Sequence, residues 1–594
     1  MKAAVLAFLA LFSMSLCSFP VNARESQNTE WSLASDTWEA VDMLGRPVSV
    51  YEQTGPPRED RTIGLFYFLW MGSHVNGGPH DISKILAKHP EAIQDKEHPA
   101  WGPMHAMHHW GEPLFGYYNS DDPWVLQRHA RMLADAQVDV IIFDVTNRST
   151  YRDYYVSLCK AFSEVRKQGT PAPQIAFLCP FWDPKSTAAE IYRDLYKPGL
   201  YKDLWFQWEG KPLIMADPAQ VDEELKDFFT FRKPVPSYFT GPDGLDQWGW
   251  LEVYPQHVFK NSQDEAEQMT VGVAQNAVEG RLGSLSEKNA QGRSFHEGRR
   301  DTRPNAAWYG FNFMEQWSRA LEVDPKFIFI TGWNEWIAMR FDEFNGIHEP
   351  VMFVDQFNHE NSRDVEPMRG GHWDTYYYQM VDYIRKYKGT HPQPAAGPPS
   401  TVDIAGGFEQ WDSVTPVYHN HKGSTLHRNH PGYAGADVYV DETGRNDIIT
   451  CKVAHDKDNL YFYVETTAPL TPHTDTAWMR LFINVDGKTD TGWEGFDYVV
   501  NRIAPENVAA ILEHSINGSN WTEAEKLPWR MEGNKMHLLL SRNALGLSTD
   551  QELDIRFKWA DNMQHDGDIM DFSLYGDAAP PGRFVYRYFE KIVN

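Results

Sequence analysis

The stretch FIFITGWNEWIAMR, residues 327–340, decides how the chain reads. Five consecutive β-branched or aromatic side chains run into Gly332. Trp333 and Trp336 then bracket Asn334 and Glu335 before Arg340. An apolar run without polar alternation is the pattern of a strand buried on both faces, as in a parallel sheet. A carboxylate placed between two indoles directly after such a strand is costly to bury unless it is paired or has chemical work.

Working outward, seven further runs have the same character: TIGLFYFLW (62–70), VDVIIFDV (138–145), QIAFLCPF (174–181), KPLIMAD (211–217), a weak FTFRK (229–233), WGWLEVY (248–254) and MTVGVAQN (269–276). Amphipathic helical patterns separate them. Asp122 before Pro123 predicts a helix start, with Leu126, Ala130 and Leu133 on one face, and Thr187 with Glu190 predicts a capping box. Eight strands close a barrel, so the expected fold class is α/β, a (β/α)8 TIM barrel followed by a C-terminal all-β sandwich. An open doubly wound sheet is the alternative, but no Gly-rich phosphate loop follows any strand.

The expected organisation is a signal peptide over 1–23, a lead-in over 24–60, the barrel over 61–390, a Pro- and Ala-rich linker over 391–403 (HPQPAAGPPSTVD) and the sandwich over 404–594. Two insertions, 72–121 and 276–306, greatly exceed the usual βα loop and are expected to hang over the catalytic face.

Residues 1–23 have one lysine, an apolar run too short to span a bilayer and a small-residue end, which predicts a cleaved leader and a secreted or periplasmic protein. Met14, Ser15 and Leu16 before Cys17 argue against a lipoprotein, and no later segment is apolar enough for membrane insertion. The chain carries 82 acidic against 55 basic side chains, a formal charge of −27, which argues against nucleic acid as a partner. Cys159, Cys179 and Cys451 are too few and scattered for a disulfide framework and are expected as buried thiols. Aromatic residues reach 14% with 22 Trp, supplying flat apolar faces on which sugar rings stack. The expected partner is a carbohydrate; oligomeric state is open.

Reactive side chains in a βα barrel lie at the carboxyl ends of the strands. Those ends carry Asp144 and Asn147; Trp182 and Asp183; Trp250, Glu252, Tyr254 and Gln256; Gln275 and Asn276; and Trp333, Asn334, Glu335 and Trp336. Glycosidic cleavage most often needs one protonated and one ionised carboxyl. Glu335 is the first catalytic candidate, with Arg340 a cation within reach. Glu252 is the second, since it shares one strand face with Trp248, Trp250 and Tyr254. From the first insertion, His109, Trp110 and Glu112 are expected to close the site. Asp144, Asn147, Trp182, Tyr254, Gln256, Trp333, Asn334, Trp336 and Arg340 are expected to shape the sugar subsites, with Asp144 either orienting a sugar hydroxyl or acting as the acid.

No metal is expected at the site, because His108, His109 and Glu112 lack a third spaced ligand, and no cofactor is expected. Arg281, Arg293, Arg299, Arg300 and Arg303 in the second insertion are candidates for holding an anionic group on the substrate.

The strand-end TGWNEW, followed by SRDVEP (362–367), resembles family 99-like glycoside hydrolases, related to the endo-α-mannosidases. HHWGEPLFGYY, FDVTN and FVDQFNHENSRDVEPMRGGHWDTYYYQ also resemble secreted polysaccharide-degrading glycosidase-like proteins. The resemblance covers residues 61–390 and implies a carboxylate role for Glu335. The second glutamate of the endo-mannosidase motif falls here on Ala338, so the acid must come from elsewhere, Glu252 or Glu360, and α-mannosidase specificity does not transfer. Segments GFEQW, TGRNDI and NVDGKTDTGWEGFDYVVNR resemble family 9-like carbohydrate-binding modules. This resemblance implies stacking roles for Trp478 and Trp493; Asp486, Asp490 and Asp497 are candidate oxygen ligands for a structural calcium. The expected function is a secreted glycoside hydrolase acting on a polysaccharide or oligosaccharide. The alternatives are a non-catalytic glycan-binding protein on a degenerate barrel, which Ala338 makes credible, and a polysaccharide lyase.

Overall fold

The computed structural model describes residues 31–506 and 509–590. The expected leader at 1–23 lies outside them. Seven of the eight anticipated runs form strands over much of their length, while the run 248–254 contributes only Trp248: β1 (Thr62–Tyr67), β2 (Val140–Asp144), β3 (Gln174–Leu178), β4 (Lys211–Met215), β5 (Thr230–Pro234), β6 (Gln247–Trp248), β7 (Ala266–Gly272) and β8 (Phe327–Thr331). They lie in the order β6–β5–β4–β3–β2–β1–β8–β7, every neighbouring pair parallel. β2 and β8 are buried at every position, as strands covered on both faces must be.

The barrel is nearly closed. Between β6 and β7 the ladder is interrupted: Phe259–Lys260 pairs antiparallel with β7, and the Lys260 carbonyl accepts the Asp246 amide at 2.9 Å. Gln268, fully buried on β7, spans the rest. Its Oε1 accepts the Gly249 N–H at 3.0 Å and its Nε2 donates to the Gly249 carbonyl at 3.1 Å, so one side-chain amide replaces a ladder rung. Gln268→Met keeps the length but leaves both Gly249 groups unpaired, at about 1–3 kcal/mol each. The expected outcome is a clear fall in Tm by calorimetry; Gln268→Glu, which sets a buried carboxylate oxygen against the Gly249 carbonyl, is expected to fall at least as far at neutral pH and to recover as the pH drops.

Helices α1 (Pro123–Asp135), α2 (Arg152–Lys167), α3 (Phe311–Val323) and α4 (Thr375–Lys388) lie between and after the strands. Asp122 caps α1 as expected, its carboxylate accepting the Trp124 N–H at 3.0 Å. Thr187 and Glu190 form no capping box. They sit inside helix Lys185–Ile191, where Glu190 accepts the Thr150 hydroxyl at 2.6 Å.

In the first insertion, Met107–His109 pairs antiparallel with Ile337–Phe344 from beyond β8, which pairs in turn with Ile347–Phe353. A third long excursion, from residue 332 to α4, thus joins the two expected ones over the strand ends.

Beyond the extended segment 391–403, two antiparallel sheets of five and seven strands face each other, with the Phe462 and Phe557 rings 5.6 Å apart between them. The hairpin of Arg428–Pro431 and Val438–Asp441 grips the first insertion. Arg428 donates to Asp122 Oδ2 and to the Phe115 carbonyl, and the Tyr117 amide donates to the Tyr439 hydroxyl at 2.7 Å. Cys159, Cys179 and Cys451 are buried and unpaired. No described helix is long and apolar enough to cross a membrane.

Candidate active site

After β8 the chain continues along β1. The Trp333 amide donates to the Phe66 carbonyl at 2.8 Å, and Asn334 clamps Phe68, accepting its N–H at 2.8 Å and donating to its carbonyl at 3.1 Å. Segment 363–366 then returns beside 332–335. Gly332 N–H donates to the Arg363 carbonyl, Val365 N–H to Gly332 and Glu366 N–H to Trp333, each at 3.1 Å. The SRDVEP motif is therefore the partner of GWNEW.

Each charged residue of SRDVEP has a defined contact. Arg363 binds Glu335 with two parallel bonds, Nε to Oε2 at 2.8 Å and Nη2 to Oε1 at 2.9 Å. Asp364 accepts the Glu335 amide at 2.6 Å and the Trp110 indole N–H at 2.8 Å. Glu366 accepts from the Trp336 indole at 2.5 Å and the Tyr118 hydroxyl at 2.8 Å, and meets His129 Nε2 at 2.8 Å. Burial pushes the Asp364 carboxyl up to about 7.

Glu335 forms the floor of a cleft of about 480 Å³ at the strand ends, within the range of small-molecule sites. Its walls are aromatic: Phe66, Phe68, Trp70, Phe181, Trp250 and Phe341. Asp144, Asn147, His74, Asp355 and Arg363 supply the polar lining. Glu335 is only 2% exposed, and besides Arg363 it accepts from Gln356 Nε2 at 2.9 Å. Burial pushes its carboxyl up, and the Arg363 charge opposes that shift.

Asp355 is more open, its side chain 38% exposed, and its Oδ1 lies 3.7 Å from the same Arg363 Nη2 that holds Glu335. Its carboxyl is also raised, by burial first, with Arg363 opposing. Asp144, at the end of β2, accepts the Thr146 amide at 3.0 Å; burial pushes it up to about 6, and the charge of Asp355 adds to the rise. His74 and Asn147 both meet the Tyr151 hydroxyl, His74 at 2.6 Å.

Of the expected site residues, Glu335, Asp144 and Asn147 line the cleft. Glu252 does not. Regular β6 ends at Trp248, so the two-residue alternation that placed Glu252 inward stops before reaching it. Its carboxylate instead takes His257, at 2.6 Å from Nδ1 and 3.2 Å from the amide, and burial pushes it up to about 7. Tyr254 is exposed outside the cleft, and Gln256 is spent on the Thr270 and Gln316 carbonyls.

The two indoles around Glu335 are core residues. Trp336 stacks on Trp110 at 4.7 Å and Trp333 packs edge-on to His129 at 5.4 Å, so Trp110, Trp333 and Trp336 present no free face to a sugar. Asn334 is the clamp on Phe68, and Arg340 turns away from Glu335 to the carbonyls of Lys96 and Gly102. His109 is sealed between Tyr117 and Tyr433, and Glu112 pairs with Lys84 at 2.5 Å. Trp182 is 77% exposed and does not line the cleft, although its chain neighbour Phe181 does.

None of the five arginines of the second insertion lines this cleft. Arg293 is buried, donating to Ser362 Oγ and the Asp364 carbonyl and lying 4.2 Å from the Tyr376 ring centre. Arg281 pairs with Glu287, Arg303 with Asp301 at 2.8 Å, and Arg300 with Glu360 at 3.4 Å; Arg299 is exposed on a short hairpin. Arg300, Arg303 and Glu360 line a separate groove, so Glu360 is not the missing acid of the cleft. In the C-terminal sheets Trp478 and Trp493 are buried, which removes them as stacking platforms. Asp486, Asp490 and Asp497 do not converge on one coordination point; Asp486 accepts the Lys488 amide and Asp497 the Val485 amide.

Strand-end positions do not include Asp355 and Arg363, because a loop delivers both. The signal present was the acidic and basic density of FVDQFNHENSRDVEP.

No family model and no curated protein matches the chain. Two solved structures of the family 99 (GH99) endo-α-mannosidase from Bacteroides thetaiotaomicron are similar at a low level. One, in complex with bis-tris propane, is 14% identical with a TM-score of 0.32, covering 56% of this chain and 98% of that one. The other is 16% identical with a TM-score of 0.33, covering 56% and 99%. A TM-score of this size carries no weight for fold or chemistry, and the barrel stands on its own strand register.

Proposed function

We propose that this chain hydrolyses glycosidic bonds of an oligosaccharide or polysaccharide, with Asp144 and Asp355 as the reacting carboxyls and Glu335 as the group that positions Arg363. The observation that carries this reading is the cleft itself: a carboxyl from β2 and one from the β8 excursion line the same aromatic-walled cavity. Glu335 has both oxygens occupied by Arg363, whereas Asp355 has an open carboxylate beside that guanidinium. Asp355 is then the nucleophile or base. Asp144, sealed and raised to about 6, is the proton donor. The exposed Trp182, next in the chain to the cleft residue Phe181, offers an outer stacking face.

Arg363 is the one lysine or arginine among the described residues that line the cleft, and its charge faces Glu335 and Asp355. That supports a neutral glycan over the uronic acids a lyase would require. The sealed Glu335–Arg363 pair also favours a second reading, a glycan-binding barrel without turnover.

Product analysis by mass spectrometry on a panel of plant, algal and host glycans separates the two: new reducing ends mark the hydrolase, and retained ligand without cleavage marks the binder. For the hydrolase a sign follows from Asp144. The donor must hold its proton, so kcat/KM is expected to fall about tenfold per pH unit above about pH 6. A profile flat from pH 5 to pH 8 removes Asp144 from that role.

A further inference from the structure

The first insertion contains a group of side chains that the cleft does not use. His89 closes helix Ile82–Lys88, Glu91 stands in the turn Pro90–Gln94 that follows, and His98 precedes the turn Pro99–Trp101. One tight loop, closed by backbone bonds from Ala92 to His89, Asp95 to Ala92 and His98 to Asp95, brings the three together. His89 Nδ1 lies 3.5 Å and His98 Nε2 lies 3.6 Å from the same oxygen, Glu91 Oε1. One ligand atom from each residue falls within 4.8 Å of the other two, the only such convergence of three or more His, Cys, Asp or Glu among the described residues.

We propose that His89, Glu91 and His98 bind a divalent transition-metal ion of the zinc class. Zinc bonds of about 2.0–2.2 Å at tetrahedral angles separate neighbouring ligand atoms by about 3.3–3.6 Å, which matches both nitrogen-to-oxygen distances here. Two imidazoles and one carboxylate suit zinc, whereas calcium and magnesium prefer all-oxygen shells. Three protein ligands leave a fourth position for water. The charge balance agrees, since one carboxylate and two neutral imidazoles leave the cation's second charge to solvent at a partly exposed site.

Binding at His98 Nε2 places the ring proton on Nδ1. The Ala100 amide now leans on that nitrogen at 3.3 Å, a long contact that metal binding gives up. The sequence pattern, His-X-Glu followed by six residues and His, matches no common zinc spacing and only becomes a ligand set through the turn.

The position suggests a staple rather than a reaction centre. The Trp101 indole donates to the Ala92 carbonyl at 2.9 Å, and Arg340 donates to the Lys96 carbonyl at 2.9 Å and the Gly102 carbonyl at 3.1 Å. Arg340 sits between Met339 and Phe341, both of which line the cleft. An ion at His89, Glu91 and His98 therefore holds the loop that braces one cleft wall.

The test uses the full-length untagged protein, stripped with a chelator and titrated with Zn²⁺ by calorimetry. The expected result is one saturable site per chain, a rise in Tm with added Zn²⁺, and slower amide exchange over residues 89–102. Co²⁺ is expected to give the intense visible bands of a tetrahedral ion. Glu91→Gln, at an exposed side chain that does not threaten folding, is expected to weaken binding at least about tenfold, as is His98→Ala. Absence of saturable binding, or binding unchanged by both substitutions, overturns the proposal.

Discussion

Asp355→Asn is expected to lower kcat/KM by about 10²–10⁴-fold while leaving glycan binding within a few-fold of the parent. The substitution keeps the shape of the side chain and removes only its charge and basicity. Asp355 is half-open to the cleft, with one oxygen 3.7 Å from Arg363, so the amide leaves the fold intact. Loss of kcat with KM nearly constant identifies a group whose interaction appears in the transition state. Initial rates and equilibrium binding on the best glycan of the panel measure both terms. A turnover within threefold of the parent eliminates Asp355 as nucleophile or base and returns the question to Glu335.

Arg363→Ala carries the largest expected cost in stability, about 3–5 kcal/mol. The guanidinium is nearly sealed. It holds both oxygens of Glu335, bonds the Asn276 side chain through Nη1 and neutralises two neighbouring carboxylates. Truncation strands Glu335 at the cleft floor without its counter-charge. Glu335 can escape only by taking up a proton, so the loss is expected to shrink as the pH falls. The double substitution Glu335→Leu with Arg363→Met removes both charges and is expected to cost less than Arg363→Ala alone. Thermal unfolding of the three variants at pH 5 and pH 8 tests this. A Tm for Arg363→Ala equal to the parent at both pH values shows that the pair is not structural.

The strands were legible because burial on both faces leaves a local mark: β2 and β8 are unbroken apolar runs, and Asp122 with Pro123 announces α1. A local rule misleads where it is extended past its element. Counting in twos from Trp248 points Glu252 inward, yet β6 stops there, since Gly249 bonds to the Gln268 side chain instead of a neighbouring strand. The tryptophans around Glu335 looked like sugar platforms, and their indole nitrogens show why Trp336 is not: it donates to Glu366, a residue thirty positions later in the chain.

Apolar periodicity and turn chemistry, both written between residues a few positions apart, were enough for the strand count, the barrel class and the presence of Glu335 and Asp144 at strand ends. Which groups Glu335 meets was decided only when residues 363–366 folded back along 332–335. That return depends on closing a loop of nearly thirty residues, where closure entropy changes slowly with length and no local preference selects the partner. The same holds for His89, Glu91 and His98, which are ordinary loop residues until a turn points them at one another.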